Sequence, residues 1–234
     1  MDSECALLTF EDIAIPAGPD GDAGLSALNL QVPEAGLVLI RAERRQAPIG
    51  IADAAEGLLP PQRGCARFLG RDWAARKPRD AVAARARIGR VFSGPAWVSN
   101  LDVDENVTLR ERHHTGRPAE EIEAEAVRLA RAFGLADLPR QRPAWTNRAD
   151  LARAQWVRAL LGAPRLLLLE FPEHDAAEEP LAAFCAAVRR SREGGAGTVW
   201  FTSAPRIWDD ASLRPTGRFE LRGSALATVE EKRG

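Results

Sequence analysis

The order of sequence patterns along this chain predicts a mixed α/β protein. Three observations carry the prediction. The first part is rich in short alternating or branched apolar runs, the middle carries helical periodicity, and the last part alternates helical stretches with buried strands.

Taken in order, residues 6–15 (ALLTFEDIAI) read as an edge strand. Residues 16–24 (PAGPDGDAG) are a turn-rich loop. LSALNLQV alternates with period two and reads as a second strand. LVLI (37–40) is branched and short enough for a buried strand. A helix of about two turns is expected across IADAAEGL, and CARFL (65–69) returns as a strand. Arg71–Ala84 reads as a polar link, and Ile88–Phe92 (IGRVF) as another short strand. ERHHTGR is a second polar link, with His113 and His114 solvated; a weak metal site there is the remote alternative.

Pro118 to Phe133 forms a long helix, with proline at its start and glutamates in its first turns, which suits the helix dipole. Ile122, Ala126, Leu129 and Phe133 fall on one face. A helix over Leu151–Leu161 precedes Arg165–Leu169, whose run of leucines is the most strand-like segment of the chain. Glu179–Arg192 is helical, and 198–202 (TVWFT) is a strand. The last strands fall near Gly217–Leu221 and Ala225–Val229. No repeat or low-complexity tract interrupts this order.

Composition narrows the function classes. At 234 residues the chain makes one large domain, or a core with a small subdomain. A formal net charge of −1 gives no reason to expect nucleic-acid binding. Cys5, Cys65 and Cys185 are isolated, which suggests a reducing compartment, unreactive thiols and no structural zinc. No signal peptide is visible, and no apolar run approaches the ~18 residues that would span a membrane.

The most informative segment is Val32–Gly70, VPEAGLVLIRAERRQAPIGIADAAEGLLPPQRGCARFLG. Its frame is a short apolar strand, a turn, a helix, then LLPPxxG and a strand ending in Gly. In P-loop ATPases such a frame holds G-x-x-x-x-G-K-[ST], where glycine amides cradle phosphates and a lysine pairs their charge. Here the lysine position is Pro48 and the Mg²⁺-binding hydroxyl position is Ile49. The glycine positions are Ala42, Arg45 and Ala47, whose Cβ atoms penalise a left-handed backbone. Pro48 has no N–H to offer, although proline is tolerated where a helix begins. The only lysines, Lys77 and Lys232, lie elsewhere. Arg44 and Arg45 have the charge to attract an anion, but an exposed basic turn is the favoured reading.

Three further segments fall in a telling order. They are IGRVFSGPAWVSNLDVDENV (88–107), RALLGAPRLLLLEFPE (158–173) and TVWFTSAP (198–205). Together with the loop they resemble the nucleotide-binding domain of ABC transporters over essentially the whole chain. Phe92–Val103 and Leu109-Arg110-Glu111 look similar to the ATP-binding subunits of bacterial lipid-trafficking, MCE-linked systems.

The resemblance implies a RecA-like P-loop NTPase core (residues 1–92 and 162–234). An N-terminal antiparallel β-subdomain would belong to that core, and a helical subdomain would be inserted over 93–161. It also implies ATP with Mg²⁺ as cofactor. The partners it implies are a membrane permease and a second ATP-binding subunit, at the cytoplasmic face of the inner membrane.

The residues depart from the family at each chemical position. Ala17 stands where an aromatic stacks on the base, and Ser93 where a glutamine senses Mg²⁺ and the attacking water. Thr146-Asn147-Arg148-Ala149-Asp150 replaces the L-S-G-G-Q signature; Thr146 or Asn147 suits a helix N-cap, and Asp150 would meet phosphate with like charge. Glu170 takes the Mg²⁺-holding aspartate's place and is a weak metal candidate. Phe171 takes the place of the general base, and Ser203 that of the switch histidine. His174 falls in the following loop and reads as a surface histidine.

The expectation is therefore a pseudo-ATPase with no catalytic residue and no bound cofactor or metal, acting as scaffold or regulator on a permease or partner ATPase. Two alternatives stand beside it. One is an active or nucleotide-sensing ATPase with ligation rebuilt on Arg44, Arg45 and Glu170. The other is an unrelated α/β domain.

Overall fold

A computed structural model describes residues 6–17, 24–43, 49–94, 96–174 and 176–229. Two sheets and seven α-helices are built from them. The strands are β1 (Ala6–Ile15), β2 (Leu25–Pro33), β3 (Leu37–Arg41), β4 (Arg63–Phe68), β5 (Arg71–Asp72), β6 (Ile88–Val91), β7 (Leu166–Glu170), β8 (Gly197–Thr202), β9 (Gly217–Arg222) and β10 (Ala225–Thr228). The helices are α1 (Ile49–Ala55), α2 (Pro78–Arg85), α3 (Val103–His114), α4 (Ala119–Ala132), α5 (Arg148–Leu160), α6 (Glu178–Glu193) and α7 (Pro205–Trp208).

The first sheet is antiparallel, in the order β2-β1-β4-β5. β1 is thus an interior strand and not the expected edge, because β4 returns along the side that β2 leaves open. The second sheet has the order β10-β9-β3-β8-β7-β6 and is parallel except for the β9–β10 hairpin.

The inner parallel strands β3, β7 and β8 are mostly apolar because both of their faces are covered. Their side chains alternate between two cores. Val38, Ile40, Leu166 and Leu168 pack with β1, β2, β4 and α1. Leu37, Leu39, Leu167, Leu169 and Trp200 pack with α3–α6. In that second core Trp156 stacks on Phe184 at 4.7 Å, and Phe133 meets both rings edge-on.

Three segments differ from the sequence reading. The expected polar link at 71–84 contains β5 and most of α2, a helix that buries only Ala81 and Ala84 and so leaves no apolar stripe to read. The link containing His113 and His114 is the end of α3, which buries Val103 and Val107; both histidines are exposed, as expected. The helix expected across IADAAEGL begins at Ile49 and ends at Ala55, with Gly57 at φ +63° in the turn that follows.

Gly89 sets how closely β6 approaches α5. A Cβ there would lie 1.8 Å from the Ala159 carbonyl oxygen, a backbone atom that cannot swing aside. Gly89→Ala is expected to cost about 1–3 kcal/mol, at the upper end of that range. Urea denaturation checks this, and an unchanged midpoint would mean that the strand and helix part there freely.

Candidate functional site

The site gathers at the carboxyl ends of β6 and β7, where crevices form in open parallel sheets. Arg90 pairs in register with Leu168, and Val91 with Leu169. Side chains two apart share a face, so Arg90 and Glu170 lie on the same face as diagonal neighbours, within reach of long side chains. That face looks toward α1. Asp53 and Glu56, three apart on and just beyond that helix, complete the cluster.

Arg90 is the hub. Its Nε donates to Glu170 Oε1 at 2.6 Å, and its Nη1 to Asp53 Oδ1 at 2.6 Å and Glu56 Oε2 at 2.7 Å. The Arg90 side chain is 4% exposed and that of Glu170 1%. Burial works against the Arg90 charge, but Glu170 and Glu56 outweigh it and hold the guanidinium protonated above its ordinary range. One cation does not balance three acids, and burial pushes the Glu56 carboxyl above its ordinary value despite Arg90.

Ser93 completes the Glu170 shell. Its N–H donates to Oε2 at 3.2 Å and its Oγ at 2.9 Å. Both carboxylate oxygens are therefore engaged, one of them by a fixed cation. Among the described residues no group of His, Cys, Asp or Glu is disposed to hold a metal ion. Mg²⁺ needs oxygen ligands in near-octahedral geometry and keeps several waters. A carboxylate so buried, with a guanidinium at 2.6 Å, does not suit it.

Phe171 follows Glu170 in a left-handed conformation, φ +49°, which is costly for a bulky side chain. Its N–H donates to the Phe201 carbonyl at 2.9 Å, and its ring is buried. The ring meets His174 edge-on at 5.7 Å. His174 is half-buried rather than a plain surface histidine, and its Nε2 lies 3.5 Å from Ser203 Oγ.

A cavity of about 340 Å³ brings Ser93, Glu170, Phe171 and His174 together with Arg148 and Trp97. Of the signature-equivalent residues only Arg148 lines it. Asn147 is the N-cap of α5: its Oδ1 accepts the Asp150 N–H at 2.9 Å. Asp150 is also held by Arg153 at 2.7 Å, so its charge is paired within the helix. Thr146 is buried and donates to the Arg142 carbonyl, while Ala149 is exposed.

Ala17 is exposed, two residues beyond the end of β1. Ala42 is buried and its N–H donates to the Thr202 carbonyl at 3.1 Å, so that amide is spent inside the sheet. Arg44, Arg45, Ala47 and Pro48 lie outside the described residues, as does the side chain of Ile49, whose backbone opens α1. Cys65 and Cys185 are free thiols, pushed up to about 11 mainly by burial; Cys5 lies outside the described residues.

A larger groove of about 750 Å³ opens between α2, β6, α3 and α5. Val82 and Val98 are exposed on it at 42% and 44%, and Arg85, Arg110 and Arg158 line it. Arg85 caps the Glu56 and Gly57 carbonyls at 2.9 Å each. Arg158 donates to the Ala96 carbonyl at 2.6 Å and lies over the Trp97 and Phe92 rings. It makes no ion pair among the described residues, and burial together with Arg110 and Arg90 lowers it to about 10.

Sequence reasoning singled out Glu170 but missed Arg90, Asp53, Glu56 and Arg158. The signal for the first was present: an arginine inside the strand IGRV, where both faces are covered, requires buried acids.

No family model matches the chain. The phosphonates import ATP-binding protein PhnC 2 of Synechococcus sp. (strain JA-2-3B'a(2-13)) is 28% identical over 162 residues, covering 66% of this chain and 60% of that protein. The intermembrane phospholipid transport system ATP-binding protein MlaF of Haemophilus influenzae is 26% identical over 62% of this chain and 55% of its own. The methionine import ATP-binding protein MetN of Caulobacter vibrioides is 26% identical over 70% of this chain and 49% of its own. The matches thus span about half to three-fifths of these relatives.

Among solved structures, the ATP-binding cassette MJ0796, a dimer in a post-hydrolysis state with ADP and Pi, superposes with a TM-score of 0.84. It does so over 97% of this chain and 99% of that one, at 17% identity. An ATP-binding subunit of an ABC transporter gives 0.79 over 96% and 90%, at 18% identity. The fold is that of the ABC ATPase cassette, and the sequence kinship is with ATP-binding subunits of ABC transport systems.

Glu56 makes the site pH-sensitive. Its folded-state value lies above 4.5, so the folded chain holds this proton more tightly than the unfolded one. Its contribution is fully present below 4.5 and is lost as pH rises through the folded value. Glu56→Gln is expected to flatten that fall in denaturation midpoint against pH; an unaltered slope would place the titration elsewhere.

Proposed function

We propose that this chain serves as a degenerate ATP-binding subunit of an ABC transport system, docked on a membrane permease and not turning over ATP. The observation that carries the reading is the end of β7. Phe171, at the position that the family resemblance gives to the general base, is buried and has no proton-accepting group. Glu170 beside it is committed to Arg90 and Ser93. Pro48 and Ser203 extend the same pattern through the lysine and switch positions. Losses within one catalytic unit do not add, so restoring one member restores little.

The groove between α2, β6, α3 and α5 supports the docking half of the proposal. It offers exposed apolar side chains beside Arg85 and Arg158, which make no ion pair among the described residues, and this suits a partner helix with an apolar face and an acidic residue. The partner would place the chain at the cytoplasmic face of a membrane; among the described residues no helix is long and apolar enough to cross one. A lipid cargo is the finer reading, and the relative with phospholipid transport in its name favours it. We read residues 1–92 with 162–234 as the core and 93–161 as the inserted helical part, with the packing of α3, α4 and α5 on the second core in support.

Calorimetry with ATP and Mg²⁺, alongside a phosphate-release assay on the same sample, tests the proposal. No turnover is expected from the chain as it stands, and none from Pro48→Lys, because Phe171 and Ser203 still lack the base and the switch. Substantial phosphate release from either protein would overturn the reading of this site.

A further inference from the structure

A divalent cation and a guanidinium answer the same need at a buried carboxylate, since either offsets a charge that water no longer solvates. We infer that the Arg90 guanidinium is a permanent internal cation that occupies the Glu170 carboxylate in place of a divalent metal ion and ties α1 to β7 without nucleotide. The inference goes beyond the proposed function and does not rest on it, since nucleotide bound without metal would leave it intact.

Three features of the geometry point this way. Arg90 reaches Glu170 with Nε and both α1-side acids with Nη1, so one planar fork joins three carboxylates from two elements. The second Glu170 oxygen takes the Ser93 amide and hydroxyl, which leaves the carboxylate three donors and one free lone pair. The Arg90 guanidinium also lies over the Phe92 ring at 4.4 Å, a contact that favours the cation where it stands. A metal with its retained waters would have to expel the guanidinium from this arrangement, and the expelled charge would stay nearby to repel it.

The test is thermal midpoint and Mn²⁺ paramagnetic resonance on the whole chain, comparing wild type with Arg90→Met, Arg90→Lys and Glu170→Gln. The wild type is expected to bind no Mn²⁺ at this site and to show no midpoint shift with Mn²⁺ or Mg²⁺. Arg90→Met should melt lower, and Mn²⁺ should raise its midpoint, because Asp53, Glu56 and Glu170 then face one another without a counter-charge. Arg90→Lys keeps the charge without the fork; it should lose less and stay insensitive to Mn²⁺.

A wild-type Mn²⁺ signal that disappears in Glu170→Gln would overturn the inference, because Glu170 would then be a metal ligand. So would an Arg90→Met protein that melts lower yet ignores Mn²⁺, for Arg90 would then be a tether only. If Arg90→Met does not fold, the wild-type and Arg90→Lys measurements decide. ATP binding measured in EDTA separates the two proposals: binding there bears on the proposed function and not on Arg90.

Discussion

A guanidinium inside a fully covered parallel strand cannot stand alone. Removing such an ion from water costs several kcal/mol even after the protein relaxes, so the fold must deliver acids to Arg90. It delivers them from two directions. The register of β6 on β7 sets Glu170 diagonally across, and α1 with the residue just beyond it supplies Asp53 and Glu56. Each of these elements is thereby located by charge as well as by packing. The arrangement adds little net stability over an apolar one, because desolvation offsets attraction, but losing one partner strands the others.

The frame and the positions that the family resemblance gives to chemistry are held by different forces. The sheets and helices are fixed by two apolar cores, in which leucines and aromatics divide between the faces of the parallel strands. The positions given to catalysis by the family resemblance contribute little to those cores. Phe171 is the exception, and there the change adds apolar burial while keeping a left-handed turn that an L side chain resists. Pro48, outside the described residues, has no N–H to donate, and α1 starts at the next residue.

What could be read from the sequence follows the same division. Strands β3 and β7 were legible because both faces are buried, which leaves unbroken apolar runs. Helix α4 was legible because Ile122 and Ala126 recur on one buried face. Helix α2 was not, since its buried positions are alanines. Nor was α3, whose short apolar contribution is hidden among charged residues; its start is signalled by Asp102, whose N–H donates to Glu105 at 2.8 Å. The interior place of β1 depends on β4, a pairing distant in sequence that no local pattern records. At the site, the departures from the family pattern are visible residue by residue in the sequence. Arg90 was passed over because an arginine in a short strand looks like an exposed charge until both faces are known to be covered.

The groove and the Glu170 cavity share a wall. Phe92 lines both, with Arg90 over its ring at 4.4 Å and Arg158 at 5.2 Å. A partner seated in the groove would press on residues one contact away from Glu170. Contiguity of this kind is a route for coupling only if some element along it has two arrangements. Here Arg158 is fastened to the Ala96 carbonyl, Arg90 to three carboxylates, and Glu170 to Ser93. Each of these contacts would have to break before the wall moved. Under the proposed function the shared wall would be a brace, holding the docked partner and the Glu170 cluster in one fixed relation, as a scaffold requires.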